Sequence, residues 1–171
     1  HSGALVDCPN LKTVSIPSTV ETFAIDHIDG PAIVESCPKL EKAYYNAKNA
    51  KGSYYDAIFD DCGNETEEMF LIFGKDIVTT PTTFLKNCGV KTVTFPEGIK
   101  KIREYAITGC QRLETITIPS TVVSFNENLA CDFVFAKCDN LKTVNYNAQN
   151  AVNGVGAYLF YENHSDFTIN F

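Results

Sequence analysis

Apolar and polar residues alternate in short runs that recur along the chain. Residues 14–17, 93–96 and 116–119 read Val-Ser-Ile-Pro, Val-Thr-Phe-Pro and Ile-Thr-Ile-Pro. A period of two is typical of a half-buried β-strand, and proline cannot continue the hydrogen bonding of a sheet. Weaker runs fit the same frame. The pattern predicts strands centred on seven residues: Val14, Ala43, Leu71, Val93, Ile116, Val144 and Ile169.

A cysteine phrase precedes most of these runs. The phrase Cys-x-x-Leu begins at Cys8, Cys37, Cys110 and Cys138, and Cys88-Gly-Val90 is the same phrase one residue short. With Cys62 included, the intervals between in-frame cysteines are 29, 25, 26, 22 and 28 residues. One strand in every 20 to 29 residues is typical of a solenoid, whose core forms only when repeats stack. We expect a right-handed solenoid with one continuous parallel sheet and short helices or turns opposite, the clearest helix-like turn lying at 104–110.

A longer repeat overlies the short one. Residues 8–73 and 110–171 both contain Ile-Pro-Ser-Thr-Val followed by Tyr-Asn-Ala-x-Asn-Ala. Both ends of the chain fall inside a repeat. We therefore expect residues 1–171 to be a single solenoid domain and a fragment of a longer repeat protein.

Residues 102–122 resemble one known repeat family. The segment reads Ile-Arg-Glu-Tyr-Ala-Ile-Thr-Gly-Cys-Gln-Arg-Leu-Glu-Thr-Ile-Thr-Ile-Pro-Ser-Thr-Val. It is similar to the BspA-like leucine-rich repeat, I-x-x-x-A-F-x-x-C-x-x-L-x-x-I-x-I-P-x-x-V, with Ile107 where that pattern has Phe. The resemblance implies an α/β leucine-rich-repeat solenoid of about seven rungs. It also implies a surface or secreted protein of host-associated microbes that acts in adhesion and protein binding.

Composition narrows the function further. The 171 residues carry 14 Lys+Arg against 21 Asp+Glu, a net charge of −7, which disfavours a broad nucleic-acid interface. No run approaches the ~20 apolar residues of a membrane span. We expect a chain without nucleic-acid partners, without a membrane span in this segment, and monomeric.

The seven cysteines divide into two groups. Six are in phase with the repeat, and stacking predicts buried, reduced thiols that act as small apolar side chains. Disulfides between repeats and a metal array are the alternatives, although no zinc-type spacing is present. Cys131 is out of phase and is the best candidate for an exposed, reactive thiol.

Three further features raise the question of catalysis or metal binding. His27 lies between Asp26 and Asp29, and His164 follows Tyr-Glu-Asn; both are interpreted as loop histidines, because no nucleophile motif accompanies them. The acidic run 60–68 could hold calcium but lacks the spacing of a calcium loop, which favours a solvated loop. The sequence predicts no catalytic residue, no metal site and no cofactor.

The residues between the core positions define a candidate binding face. If Val14 and Ile16 face the core, alternation exposes the intervening residues of every strand. Most are polar, but an apolar patch interrupts them. The alternatives are that an insertion covers the patch or that its strand slips by one residue. The predicted partner-binding residues are Tyr44, Phe70, Ile72, Lys42, Thr92, Thr94, Thr115 and Thr117.

These features favour a non-enzymatic surface or secreted scaffold that binds an unidentified protein or glycan on a host or neighbouring cell. The alternative is a structural spacer or stalk segment without a ligand of its own. Paired threonines such as Thr92 and Thr94 also suggest ice binding, but the unequal repeats disfavour a lattice match. A hydrolase is disfavoured because no nucleophile or paired-carboxylate motif is present.

Overall fold

The computed structural model describes residues 3–23, 32–50, 57–125, 133–152 and 158–171. These residues form β-strands and turns, without an α-helix and so without a helix that could cross a membrane. The strands in chain order are β1 (Leu5–Val6), β2 (Thr13–Ile16), β3 (Val34–Glu35), β4 (Lys42–Tyr45), β5 (Phe59–Asp60), β6 (Phe70–Phe73), β7 (Leu85–Lys86), β8 (Thr92–Thr94), β9 (Lys101–Ile102), β10 (Ile107–Thr108), β11 (Thr115–Ile118), β12 (Ser124–Phe125), β13 (Phe135–Ala136), β14 (Thr143–Tyr146) and β15 (Thr168–Asn170).

Short and long strands alternate along the chain and stack separately. The two-residue strands β1, β3, β5, β7, β10 and β13 form one six-stranded sheet, which we call the short sheet. The longer strands form two sheets, in the orders β2-β4-β6 and β8-β11-β14-β15, and β9 pairs with β12. All of these pairings are parallel. The chain therefore winds as a parallel β-solenoid.

Left-handed residues end the short strands. The residue before each in-phase cysteine has a φ between 50° and 66°: Asp7, Ser36, Asp61, Asn87, Gly109 and Lys137. This conformation turns the chain sharply and is most accessible to Gly, Asn and Asp, which supply four of the six positions. The corner directs the chain from the short strand towards the next long strand.

The core lies between the short and the long strands. Val93, Ile116 and Val144 occupy one buried column of the long strands. Buried apolar residues form one cluster that runs from Ile16 to Leu159, and the rings of Phe73 and Phe95 lie 5.5 Å apart where the two long-strand sheets meet. The hydrophobic core is thus continuous although the hydrogen-bonded sheet is not.

All seven predicted strand centres lie in the long strands β2, β4, β6, β8, β11, β14 and β15. The prediction of one continuous sheet is wrong, because the long strands form two sheets. Seven rungs and short helices are not confirmed, since the solenoid has about five turns and the described residues supply turns instead of helices. The helix-like turn expected at 104–110 is the two-residue strand β10, because Tyr105 and Gly109 both adopt positive φ, at 53° and 66°. Left-handed residues at both positions are incompatible with an α-helix.

The sheet breaks where two neighbouring repeats have unequal lengths. Met69 follows Cys62 by seven positions, whereas other repeats use three, and Val90 follows Cys88 by only two. Met69 and Val90 are nevertheless both fully buried. The four extra residues must therefore lie outside the core, and β6 and β8 are not adjacent in a sheet. We call residues 63–68 the insertion.

Candidate partner-binding face

The three-stranded sheet presents an apolar patch, formed by Tyr44, Phe70 and Ile72. Strands β4 and β6 pair so that Lys42 lies opposite Phe70 and Tyr44 opposite Ile72. Phe70 is 50% exposed and Ile72 is 38% exposed, while Tyr44 is half-buried. Between them on β4, Ala43 is fully buried. This is the register predicted from the sequence, so the alternative of a one-residue slip is wrong, and no described residue covers Phe70.

The four predicted threonines lie on the other long-strand sheet. Thr92 pairs with Thr115 and Thr94 with Thr117. The first member of each pair is exposed and the second is half-buried. Side-chain amides extend this polar column, since Asn145 Nδ2 donates to Thr117 Oγ1 at 3.1 Å. The structure therefore separates the predicted residues into an apolar patch and a polar threonine face, which no strand pairing joins.

A groove of about 520 Å³ adjoins Phe70 at the start of the long strands. Lysines from the first two repeats line one part of it, and Glu65, Glu67 and Glu68 of the insertion line another. Lys12 Nζ lies 2.9 Å from Glu41 Oε1 and is thereby paired. Sequence reasoning missed this groove. The signal was the seven-position spacing from Cys62 to Met69, which forces residues out of the core.

Arg112 holds the insertion in place. Its guanidinium donates to the carbonyl oxygens of Asn64 at 3.5 Å and Thr66 at 2.8 Å, and also to that of Glu67. The Glu65 N–H in turn donates to the Pro38 carbonyl at 2.9 Å. Three carbonyls bound by one rigid, permanently charged fork fix the backbone of the insertion beside the groove. Sequence reasoning missed this contact too.

The short Cys88 repeat makes the reach of Arg112 possible. A Cβ added to Gly89 would lie 2.2 Å from the Gly63 carbonyl oxygen, so the backbones of the two repeats touch there. Any larger residue would push the insertion away. The glycine and the missing residue together bring the insertion within range of the next repeat.

The in-phase cysteines form a column of buried, free thiols. Cys37, Cys62, Cys88, Cys110 and Cys138 are buried, Cys8 is half-buried, and none of the six is in a disulfide. The thiols of Cys37, Cys62 and Cys88 each lie within hydrogen-bonding distance of two carbonyls, which share the single S–H donor. Cys62 Sγ, for example, lies 3.2 Å from Asp60 O and 3.5 Å from Val34 O. The structure agrees with the predicted ladder of reduced thiols. Cys131 lies outside the described residues.

The pKa values of four thiols in the column, those of Cys37, Cys62, Cys110 and Cys138, are raised. Burial raises the pKa of Cys37 to about 11 and that of Cys138 to about 12. The pKa of Cys62 is raised chiefly by its hydrogen bond with Cys88, and that of Cys110 by burial. Thiolate is the form that binds metals and attacks electrophiles. The column therefore has a structural role, and the described residues contain no cluster of three or more potential metal ligands.

Asn163 continues the column in the last repeat. Its Oδ1 accepts a hydrogen bond from the Cys138 N–H at 2.5 Å, as Cys110 Sγ does from the Cys88 N–H at 3.4 Å. Its Nδ2 donates to the Phe135 carbonyl at 2.8 Å. Sequence reasoning missed this residue, although it follows Cys138 by 25 positions, which is a repeat interval. The column is therefore defined by its hydrogen bonds, which an amide side chain can form as well as a thiol.

The candidate catalytic features do not assemble into a reactive site in the described residues. His164 Nδ1 lies 2.9 Å from Asp139 Oδ1 at the surface, and this contact lowers the pKa of Asp139. The neighbouring Ser165 Oγ donates to the Leu141 carbonyl at 2.7 Å, so its hydroxyl is engaged by the backbone. In the acidic run, Asp60 pairs with Lys86 at 2.7 Å. His27, with Asp26 and Asp29, lies outside the described residues.

The stacked parallel strands, the buried column and the outward-facing polar ladder define a repeat-built β-solenoid scaffold. A family model described as BspA type leucine rich repeat region matches residues 52–171 with six copies. The chain belongs to this family, whose repeats are generally non-enzymatic, mediate protein interactions and occur in surface-associated or secreted bacterial proteins. No curated protein and no solved structure matches the chain.

Proposed function

We propose that this chain is a non-enzymatic adhesive scaffold that binds a protein or glycan partner through its long-strand face. The observation that carries the proposal is the apolar patch. Two large apolar side chains stand 50% and 38% exposed on a sheet face whose other outward positions are mostly polar. A contiguous exposed apolar patch rimmed by polar residues is typical of an interaction surface.

The patch can contribute to the affinity for a partner. Full burial of an aromatic or branched aliphatic side chain contributes about 1.5–3 kcal/mol. Because Phe70 and Ile72 are 50% and 38% exposed and Tyr44 is half-buried, burying what remains exposed supplies roughly 2–4 kcal/mol before the costs of association. Lys42 lies beside Phe70 in the same sheet. Its ammonium adds a polar contact at the edge of the patch. The threonine face, with Thr92, Thr94, Thr115 and Thr117, serves as a flatter polar extension.

The family supports a location on the cell surface or outside the cell. Its repeats generally occur in surface-associated or secreted bacterial proteins, where they mediate protein interactions. The net charge of −7 disfavours binding through a broad cationic face. We propose that residues 1–171 act as one monomeric solenoid unit in such a protein.

The test is a binding screen of the 171-residue chain against extracellular matrix proteins and a glycan array. Any hit is measured again with the double variant Phe70→Thr/Ile72→Thr, which converts the patch to the residue common on the rest of the face. We expect affinity to fall about tenfold or more, as for the loss of a central anchor. The matched control is Val123→Thr, which removes an apolar side chain 45% exposed beside β12.

Two results would contradict the proposal. Equal loss of affinity in the double variant and in the Val123 control would show that the apolar patch is not the contact surface. Flat responses across both panels would favour the spacer or stalk role, in which this segment has no ligand of its own.

A further inference from the structure

The groove beside Phe70 adjoins the apolar patch and is lined by both basic and acidic side chains. Phe70 contributes an apolar side chain to the groove, and Lys39 and Lys42 line it on the side of the first repeats. The insertion contributes Glu67 and Glu68. Glu41 also lines the lysine side, where it pairs with Lys12, so Lys39 and Lys42 carry the excess positive charge there. Phe70 lies opposite Lys42 in the neighbouring strand and two positions after Glu68, and so adjoins both charged groups.

Lys12 pairs with Glu41, but no described ion pair involves Lys39, Lys42 or the glutamates of the insertion. The insertion is also not a loose loop, since Arg112 binds three of its carbonyl oxygens. Charges held apart in fixed positions select a ligand whose own charges are arranged in the complementary order.

We propose that the groove binds an extended peptide segment of a protein partner, with an apolar side chain packed on Phe70 between an acidic residue and a basic residue. The acidic residue faces Lys39 and Lys42, and the basic residue faces Glu67 and Glu68. A peptide carries both charges and an apolar group within a few residues. The inference rests on the proposed function, because it names the partner chemistry for the same face.

The mixed charge of the groove disfavours other ligands. An anionic glycan or membrane surface would meet the glutamates of the insertion as well as the lysines, and like charges brought together oppose binding. A uniformly basic segment would meet Lys39 and Lys42. Only a segment with both signs satisfies the two ends of the groove at once.

The test uses four synthetic peptides of equal length with a central phenylalanine. One carries acidic residues before it and basic residues after it, the second carries the reverse order, and the others carry only acidic or only basic flanks. Because an extended peptide can lie in the groove in either direction, both mixed peptides can match the charges, and we expect both to bind. Single-sign peptides should bind at least about tenfold more weakly at low salt.

Charge-reversed variants test the assignment of each end. Lys39→Glu/Lys42→Glu should shift the preference to the all-basic peptide, and Glu67→Lys/Glu68→Lys should shift it to the all-acidic one. The exposed Lys142→Glu variant is the matched control and should leave the order of preference unchanged. Phe70→Thr should weaken binding of all four peptides without altering their order.

The outcomes separate this inference from the proposed function. If the four peptides bind equally, or if none binds, the inference that the groove binds a charge-matched peptide is overturned. The proposed function still stands in either case when a protein or glycan from the screen depends on Phe70. If binding of every ligand is insensitive to Phe70→Thr, both the inference and the proposed site fail.

Discussion

Arg112 offers the sharpest test of how the insertion is held beside the groove. Replacing Arg112 with glutamine removes the charge and the fork that binds the carbonyl oxygens of Asn64, Thr66 and Glu67. The substitution leaves the strands intact, since Arg112 lies before β11. We expect the insertion to open locally while the solenoid stays folded.

The size of the effect follows from the hydrogen bonds that the substitution removes. Hydrogen bonds from a charged donor contribute about 1.5–3 kcal/mol each when protected from water. Arg112 is only half-buried. Water therefore competes for the carbonyls, and we expect the closed insertion to lose about 2 kcal/mol in total. Since about 1.4 kcal/mol is a factor of ten, opening should become roughly 30-fold more frequent.

Amide hydrogen exchange measures this opening directly. The Glu65 N–H donates to the Pro38 carbonyl at 2.9 Å and is protected only while the insertion is closed. It should exchange roughly 30-fold faster in Arg112→Gln than in the parent. The matched control is Gln111→Ala, because Gln111 Nε2 donates in the other direction, to the Lys137 carbonyl at 2.8 Å.

Two results would refute this reasoning. Unchanged exchange at Glu65 would mean that Arg112 does not hold the insertion. Faster exchange of similar size throughout β4 and β11 would mean that the substitution destabilises the solenoid as a whole rather than one loop.

Three further predictions concern the patch and the column. Phe70→Thr/Ile72→Thr should change the free energy of unfolding in urea by less than about 1 kcal/mol, whereas Val93→Thr, in the core, should cost more; equal losses would place the patch in the core. Among the in-phase thiols, a thiol reagent at pH 8 should modify Cys8 first, because Cys8 is half-buried and the others are buried. The free energy of unfolding should fall above pH 9, because the unfolded chain releases thiol protons that the raised pKa values of Cys37 and Cys138 retain in the folded protein. Fast labelling of the whole column, or a free energy of unfolding that does not change up to pH 10.5, would contradict this prediction. Asn163→Ala should lower the free energy of unfolding by about 1–3 kcal/mol, and Asn163→Cys should lower it by less. A larger loss in Asn163→Cys than in Asn163→Ala would show that Asn163 does not act as a member of the column.

The face of each long strand could be predicted because it depends only on local alternation. Ala43 is buried and its neighbour Lys42 is exposed, as a period of two requires once one residue is assigned to the core. The burial of the cysteines follows in the same way from their constant position in the repeat. Because the repeats stack in the same way, the burial predicted for a position in one repeat applies to the equivalent position in the next.

The features that sequence reasoning missed all depend on contacts between repeats. Arg112 binds residues 45 to 48 positions earlier in the chain, and nothing in the local pattern marks that distance. Asn163 was overlooked because an amide and a thiol differ in composition, although both donate to a carbonyl and accept from an N–H. Equivalence of hydrogen bonding is visible only in three dimensions.

The irregular pair of repeats explains why this solenoid has a candidate site at one place along its length. A repeat of constant length would bury the same positions in every turn and present the same threonine face throughout. Four extra residues after Cys62 cannot enter the core, because Met69 still fills the buried position at their end. The missing residue after Cys88 lets Arg112 reach them. The next two repeats therefore hold the extra residues in place, and the insertion sets charged side chains beside the exposed Phe70.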